Sequence, residues 1–359
     1  MKVTLAERVR RGVWPRNTLS GRLGYAALRP LSGLFGVGVS LRNLGYEVGV
    51  LRSRRAAVPI VSVGNLAVGG TGKTPLTLWL GRALLARGRR VAILSRGYGG
   101  EARGVTVVSR GDGPLVTPAA VGDEPVMLGR NFPGPVLTAA RRLAGAAAAA
   151  ALGCDVVVLD DGFQHRAIAR DYDIVLLDGN GGPLLPAGPW RERLPALQRA
   201  SALVLAESVA SVPPAGADKP VYRMRLQPTT LVESVGGQWC ERPLAELAGK
   251  HVVAVCGIAR PERFYENLRQ WEAVIAEVFE YSDHHRYSHA DWQRIARGSR
   301  GADLVVTTEK DLVKLDAFPF ATGNLVALRI EAEVERGDEL IDAVMEVIRS
   351  APVSEPVSQ

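Results

Sequence analysis

Residues 67 to 76 read AVGGTGKTPL, a glycine-rich loop closing on Gly-Lys-Thr, and no other stretch restricts the fold as tightly. A loop that turns backbone N–H groups toward phosphate works only between a strand and the start of a helix. Both flanks fit: VPIVSVGN, from residue 58, is apolar and β-rich and ends in turn residues, and Pro75 to Arg87 is helical in period. Pro75 suits a first helical turn, where its missing N–H has no partner to lose. The usual pattern places a glycine five residues before Gly72, where this chain has Ala67. Gly69, Gly70 and Gly72 still stand where the chain bends most, so a methyl at position 67 is tolerable if that residue is extended.

Further along, RRVAILSRGYGG reads as a strand after a short turn at Arg87 to Arg89, as in a βαβ unit with a parallel sheet. Residues 100 to 135 read as irregular and rich in Gly and Pro, and LTAARRLAGAAAAAALGC as a helix whose smooth alanine face packs on a sheet. DVVVLDDGFQH is a buried strand ending in Asp160 and Asp161. ATP enzymes of this kind hold Mg²⁺ between the loop hydroxyl, here Thr74, and a carboxylate at such a strand end, here Asp160 or Asp161. KHVVAVCGIARPERF and ADLVVTTEKDLVKL each read strand, turn, helix, so a second α/β unit starts near residue 220. The expected class is α/β: a P-loop NTPase-like α/β/α core with a second, smaller α/β unit and an N-terminal amphipathic helical segment. The expected boundaries are 1–56, 57–220, 221–348 and a disordered tail at 349–359.

Charge narrows the partners. The net +7 of the 359 residues is uneven, with +9 in residues 1 to 60 and −2 over the rest, so a nucleic-acid reading built on the high pI fails. The basic segment carries Leu19, Leu23, Ala26 and Ala27 at helical spacing, then Pro30, then Leu31, Leu34 and Phe35, a pattern that predicts a kinked amphipathic helix pair. Its longest uncharged run, Pro30 to Leu41, is 12 residues, too short to span a bilayer, and no signal-peptide cleavage site follows. The segment lies either on an anionic membrane surface or on its own domain with a solvated basic face. Cys154, Cys240 and Cys256 lack metal or disulfide spacing, which fits the cytosol. TTEKD is not a guanine-binding motif, because Glu309 stands where a lysine is needed, and Val68 replaces the signature lysine of dimerising switch ATPases.

Taken in order, VPIVSVGNLAVGGTGKTPL, SRGYGG, VGDEPVML, VVVLDDGFQHRAIARDYDIVLLD, PAGPWRE, GIARPERF, YSDHHRYS and TTEKDLVKL resemble the motifs of the tetraacyldisaccharide 4′-kinases, the lipid A 4′-kinases of Gram-negative bacteria. The resemblance runs from about residue 20 to 348. It implies two α/β/α units sharing a cleft, peripheral attachment to the cytoplasmic face of the inner membrane through the N-terminal helices, and transfer of the γ-phosphate of ATP to the 4′-hydroxyl of a tetraacylated diglucosamine 1-phosphate. A monomer is expected. Gly69, Gly70, Thr71, Gly72, Lys73 and Thr74 would hold the nucleotide, with Lys73 bridging the β- and γ-phosphates. By resemblance Asp123 and His284 form the base, since a carboxylate orients an imidazole and stabilises its charged form. Glu124 would support Mg²⁺ or its waters.

Arg191 is a candidate γ-phosphate contact, because its planar fork donates two bonds at once, and Glu192 a candidate metal or supporting carboxylate. Gln164 and His165 are placed near the substrate by resemblance; Arg96 and Tyr98, just past a strand end, face nucleotide or sugar. Without the resemblance, Asp123 reads as a turn residue, the cluster His284, His285 and His289 as a solvated loop lacking a known metal spacing, and His251 as structural. Trp190, Arg193 and YSDHH depart from the family pattern, which bears on substrate positioning. The competing function is a membrane-associated P-loop switch ATPase without a lipid acceptor.

Overall fold

The computed structural model describes Val9, Trp14 and residues 18–350 except Asn180 and Thr322. Much of the basic N-terminus, and residues 351–359 of the expected tail, fall outside these. The expected helix pair is instead one helix, α1 (Leu19–Glu47), 29 residues long with Pro30 inside it. An interior proline removes one backbone hydrogen bond, but Ala26, whose carbonyl loses its partner, is exposed, so water can replace the donor. Thr18 caps the helix, its hydroxyl accepting from the Gly21 N–H at 3.0 Å. The amphipathicity is inverted: Gly21, Ser32 and Gly36 are buried, whereas Leu23, Leu34 and Leu41 are more than 60% exposed. Among the described residues no helix is long and apolar enough to cross a membrane.

The glycine-rich loop lies where the spacing predicts. Fully buried β1 (Ile60–Asn65) runs into it, and α2 (Lys73–Ala86) leaves it. There follow β2 (Val91–Ser95), β3 (Val105–Ser109), α3 (Pro118–Val121), α4 (Asp123–Asn131), β4 (Val136–Ala139), α5 (Arg142–Ala151), β5 (Val156–Asp160), β6 (Tyr172–Leu177) and β7 (Ala202–Ala206). Two expectations change here. The stretch from 100 to 135 holds a strand and two helices, and the alanine-rich segment begins as strand β4 before α5 starts at Arg142. Propensity favoured helix throughout that segment, but Ile93, Leu94 and Ser95 of β2 pair with Val136, Leu137 and Thr138 and claim the residues for the sheet.

The second half comprises β8 (Val221–Val235), β9 (Gln238–Arg242), β10 (His251–Cys256), α6 (Pro261–Gln270), β11 (Val274–Glu280), α7 (His289–Gly298), β12 (Leu304–Thr308), α8 (Glu309–Leu315), β13 (Leu325–Val334) and α9 (Gly337–Ser350). A single sheet runs β11-β10-β12-β13-β8-β7-β6-β1-β5-β2-β4-β3, with β9 on β8. Pairing is parallel from β4 to β8 and again from β11 to β13, and the two blocks meet at the antiparallel β8–β13 pair. The long β8 joins them: Val221 to Met224 pair with β7, and Met224 to Glu233 with β13. Nor does α9 stay with the second block. Leu340, Ile341, Val344 and Ile348 share one core with Leu76, Leu80 and Leu84 of α2, each buried side chain contributing about 2 kcal/mol, and the helix continues to Ser350, past the expected start of the tail. The C-terminal helix thereby braces the helix behind the glycine-rich loop.

Candidate active site

Gly72, at φ 94, is the N-cap of α2, a left-handed conformation that a side chain would strain. Ala67 is extended and bridges Trp190 in antiparallel fashion, so its methyl meets no backbone penalty and the missing glycine leaves the loop intact. Two further bonds strap the loop's flank to the segment from Leu184 to Arg193: Val68 N–H to the Pro189 carbonyl at 2.9 Å and Arg191 N–H to the Leu66 carbonyl at 2.7 Å. Lys73 lies 3.3 Å from the Thr71 hydroxyl and 3.7 Å from Asp161, and Thr71 is held by the Asn65 amide at 3.0 Å. From the second block, Ala259 would sit 3.7 Å from a Cβ at Gly70, and Arg260 reaches Asp178 at 2.8 Å, so the turn before α6 approaches the loop while Gly69 and Gly70 stay exposed.

The paired aspartates diverge. Asp160 is buried and accepts from the Thr77 hydroxyl at 3.1 Å; burial, then the charges of Glu124 and Asp161, push its pKa up to about 7. Asp161 adopts φ 56, rare for a non-glycine residue, and points between Lys73 and Arg191, the latter at 2.7 Å. Burial would raise its pKa, but the two cations outweigh that and lower it. Its Oδ1 is buried without a hydrogen-bond partner. Crowded carboxylates with an orphaned oxygen beside a phosphate loop fit a divalent cation. Among the described residues no three His, Cys, Asp or Glu side chains form a ready metal site, and Mg²⁺ needs none, since it keeps waters and takes phosphate oxygens.

Asp123 opens α4 and is not a turn residue. Gly122 before it has φ 93, and a Cβ there would lie 2.3 Å from the Tyr98 carbonyl oxygen, so only glycine fits. His284, at φ 58, places Nδ1 2.9 Å from Asp123 Oδ1. Such strain survives only where contacts over-determine it, and here Asp123, Lys310 and the Tyr98 ring at 5.8 Å do so. Burial opposes ionisation of both partners, yet their hydrogen bond wins: Asp123, aided by Lys310 and Lys314, falls well below the usual carboxylate range, and His284 rises above its ordinary value. His285 is not solvated; it stacks on Tyr281 at 4.5 Å and bonds Asp291, which with Ser288 forms the capping box of α7.

Other predicted residues fall elsewhere. Both oxygens of fully buried Glu192 are taken by Arg199, at 3.1 and 3.0 Å, and Asn43 of α1 donates to Oε2 at 2.7 Å; it anchors α1 and is not free for a metal. Gln164 ties the Asn65 carbonyl, at 2.7 Å, to Arg191, at 3.3 Å, and so supports the loop more than it faces a substrate. His165 sits among Arg142, Arg96, Arg170 and Arg42, and burial with these charges pushes its pKa down to about 4. Arg96 and Tyr98 are exposed at the end of β2. Glu124 pairs with Lys310 at 3.2 Å. Sequence reasoning missed Lys310, Lys314, Asp283 and Thr77; the available signal was the spacing of the two lysines, one turn apart just past a strand end.

A family model for tetraacyldisaccharide-1-P 4′-kinase matches residues 25–349. The tetraacyldisaccharide 4′-kinase of Anaeromyxobacter sp. (strain K) is 40% identical over 369 residues, covering 96% of this chain and 97% of the relative. That of Syntrophus aciditrophicus (strain SB) is 39% identical over 355 residues, covering 91% and 94%. The crystal structure of the "apo" form of LpxK from Aquifex aeolicus in complex with ATP matches with a TM-score of 0.78 and 32% identity, covering 90% of this chain and 99% of that one. With a phosphate loop, paired aspartates and these relatives over nearly its full length, the chain belongs to the tetraacyldisaccharide-1-P 4′-kinase family.

Proposed function

We propose that the chain carries out its family's reaction with the residues gathered at this cleft, moving the γ-phosphate of ATP to the 4′-hydroxyl of a tetraacylated diglucosamine 1-phosphate in lipid A biosynthesis. One observation carries the assignment of parts: Asp123 and His284, from opposite halves of the chain, are hydrogen-bonded, and Glu124, next to Asp123, is close enough to Asp160 for its charge to raise that carboxyl's pKa. Phosphoryl transfer is chiefly positioning and charge neutralisation, with a base for the hydroxyl proton. The loop from Gly69 to Thr74 binds ATP, Lys73 and Arg191 neutralise the moving phosphoryl group, and the pair receives the proton. Thr74, Asp160, Asp161 and, on the acceptor side, Glu124 would hold Mg²⁺, which when bound supplies positive charge to the β- and γ-phosphate oxygens. Asp161, now paired with Lys73 and Arg191, would be freed for that role when phosphate takes those two cations. Arg96, Tyr98 and His165 line the acceptor side, and the expected unit 221–348, less α9 and the start of β8, which are fastened to the core, acts as the unit that closes on 57–220.

The exposed leucines of α1 support peripheral attachment to an anionic membrane surface at the cytoplasmic face of the inner membrane, with the protein acting as a monomer. A helix packed on its own domain would turn its leucines inward; this one turns in Gly21, Ser32 and Gly36. The test is to incubate the purified chain with ATP, Mg²⁺ and the tetraacylated diglucosamine 1-phosphate. A bisphosphorylated lipid is expected; hydrolysis of ATP with no phosphate on the lipid favours the switch ATPase.

A further inference from the structure

Helix α8 presents Lys310 and Lys314, one turn apart, to the Asp123–His284 pair, and neither the loop motif nor the aspartates require them. The Lys310 ammonium lies 3.2 Å from His284 Nε2, 3.0 Å from Asp283 Oδ1 and 3.2 Å from Glu124 Oε1. Lys314 lies 3.2 Å from Asp123 Oδ2 and 3.0 Å from Asp311 Oδ1. An ammonium has three protons and no lone pair, so it can only donate. Three acceptors surround Lys310, and for Nε2 to be one of them the ring must be neutral with its lone pair there, the form that the Lys310 charge favours against the pull of Asp123. The ring proton then resides on Nδ1, where it donates to Asp123. The opposite tautomer would set donor against donor at Lys310 and lone pair against carboxylate at Asp123. Lys314 meanwhile holds the other carboxylate oxygen, while Oδ1 also accepts from the Glu124 N–H at 3.0 Å.

We propose that Lys310 and Lys314 are positioning residues for the acceptor-side base: Lys310 fixes His284 as its Nδ1–H form, and Lys314 holds the Asp123 carboxylate in the orientation that receives that proton. The proposal rests on the assignment of Asp123 and His284 as the base. With Nε2 occupied, the acceptor proton arrives on the Asp123 side of the pair. The helix itself is fixed from behind by Glu309, its first residue, which is buried against Arg329 of β13 at 2.8 Å.

The test is a double-mutant cycle on the full chain, with kcat and the KM for ATP read under saturating lipid and Mg²⁺. Lys310→Met is expected to lower kcat at least ~10-fold while KM for ATP stays within about 3-fold, and Lys310→Arg, which keeps a donor, to lose less. In a His284→Ala background Lys310→Met is expected to cost less than about 3-fold, because a residue acting through His284 has nothing left to orient. The second readout is nitrogen NMR of ¹⁵N-histidine-labelled chain without nucleotide: the His284 Nε2 shift moves in Lys310→Met and stays near wild type in Lys310→Arg. Equal losses from Lys310→Met in both backgrounds, or an unmoved Nε2 shift, overturn the proposal and leave the base assignment standing. Unchanged kcat in His284→Ala overturns the base assignment itself. If Lys310→Met does not fold, Lys310→Leu, which also carries no donor, takes its place in both measurements with the same expected outcomes.

Discussion

Replacing Arg329 by methionine isolates what a buried ion pair does for this fold. Arg329 and Glu309 are both less than 10% exposed and bonded at 2.8 Å; Arg329 also reaches Glu241, which remains largely in solvent. Removing the guanidinium strands a buried carboxylate, and such losses run to about 3–5 kcal/mol, a large share of a typical 5–15 kcal/mol total. Replacing both partners leaves no charge to strand. Glu309→Met with Arg329→Met should therefore recover most of the loss and sit within about 1–2 kcal/mol of wild type, the residue reflecting a lost acidic group at the start of α8. The deficit also has a sign in pH. Burial already raises the Glu309 pKa, with Arg329 pulling against it, so without Arg329 the folded value climbs further above the unfolded one. A carboxyl group whose folded pKa is raised binds its proton more tightly in the native state, so Arg329→Met should regain stability as pH falls toward about 5 and lose it as pH rises through the folded pKa. Urea unfolding across that range reads both effects. Equal destabilisation in the single and double variants, or a deficit that grows on acidification, would refute the reasoning.

Asp123→Ala should cut kcat at least ~100-fold with little change in nucleotide affinity, compared by turnover and by calorimetry; equal losses in both mean that its role is misassigned. Ala67→Gly restores the usual loop pattern, yet position 67 is extended, so activity should hold within about 2-fold while stability drops ~0.5–1 kcal/mol; a marked gain in ATP affinity would contradict this. Gly122→Ala meets both a left-handed backbone and the Tyr98 carbonyl, and should cost about 2 kcal/mol or more in thermal unfolding and misplace Asp123; a wild-type melting curve would count against the tight approach. Leu34→Ser with Leu41→Ser should weaken sedimentation with anionic vesicles without altering the melt, because both side chains are exposed. Unchanged binding would argue against α1 as the membrane face.

The sequence by itself determined the parts that are local. Strand, loop and helix around Gly69 to Thr74 are contiguous, and so are the strand ending in Asp160 and Asp161 and the strand–turn–helix repeats, because period and turn chemistry act over a few residues. The tertiary structure decided what meets what. Only the pairing of β4 with β2 withdrew Leu137 from an alanine-rich helix. Only packing showed that α1 buries its small residues and leaves its leucines out, that α9 returns to brace α2, and that Glu192 fastens α1. The pairing of Asp123 with His284, 161 positions apart, was reached through resemblance and has no local signal. For Lys310 and Lys314 the local signal stops at their one-turn spacing past a strand end, since such lysines read as solvated until the chain folds a carboxylate and an imidazole against them. Local rules fix backbone shape, but electrostatic partners are set by contacts between segments distant in sequence, and the candidate site is built from such contacts.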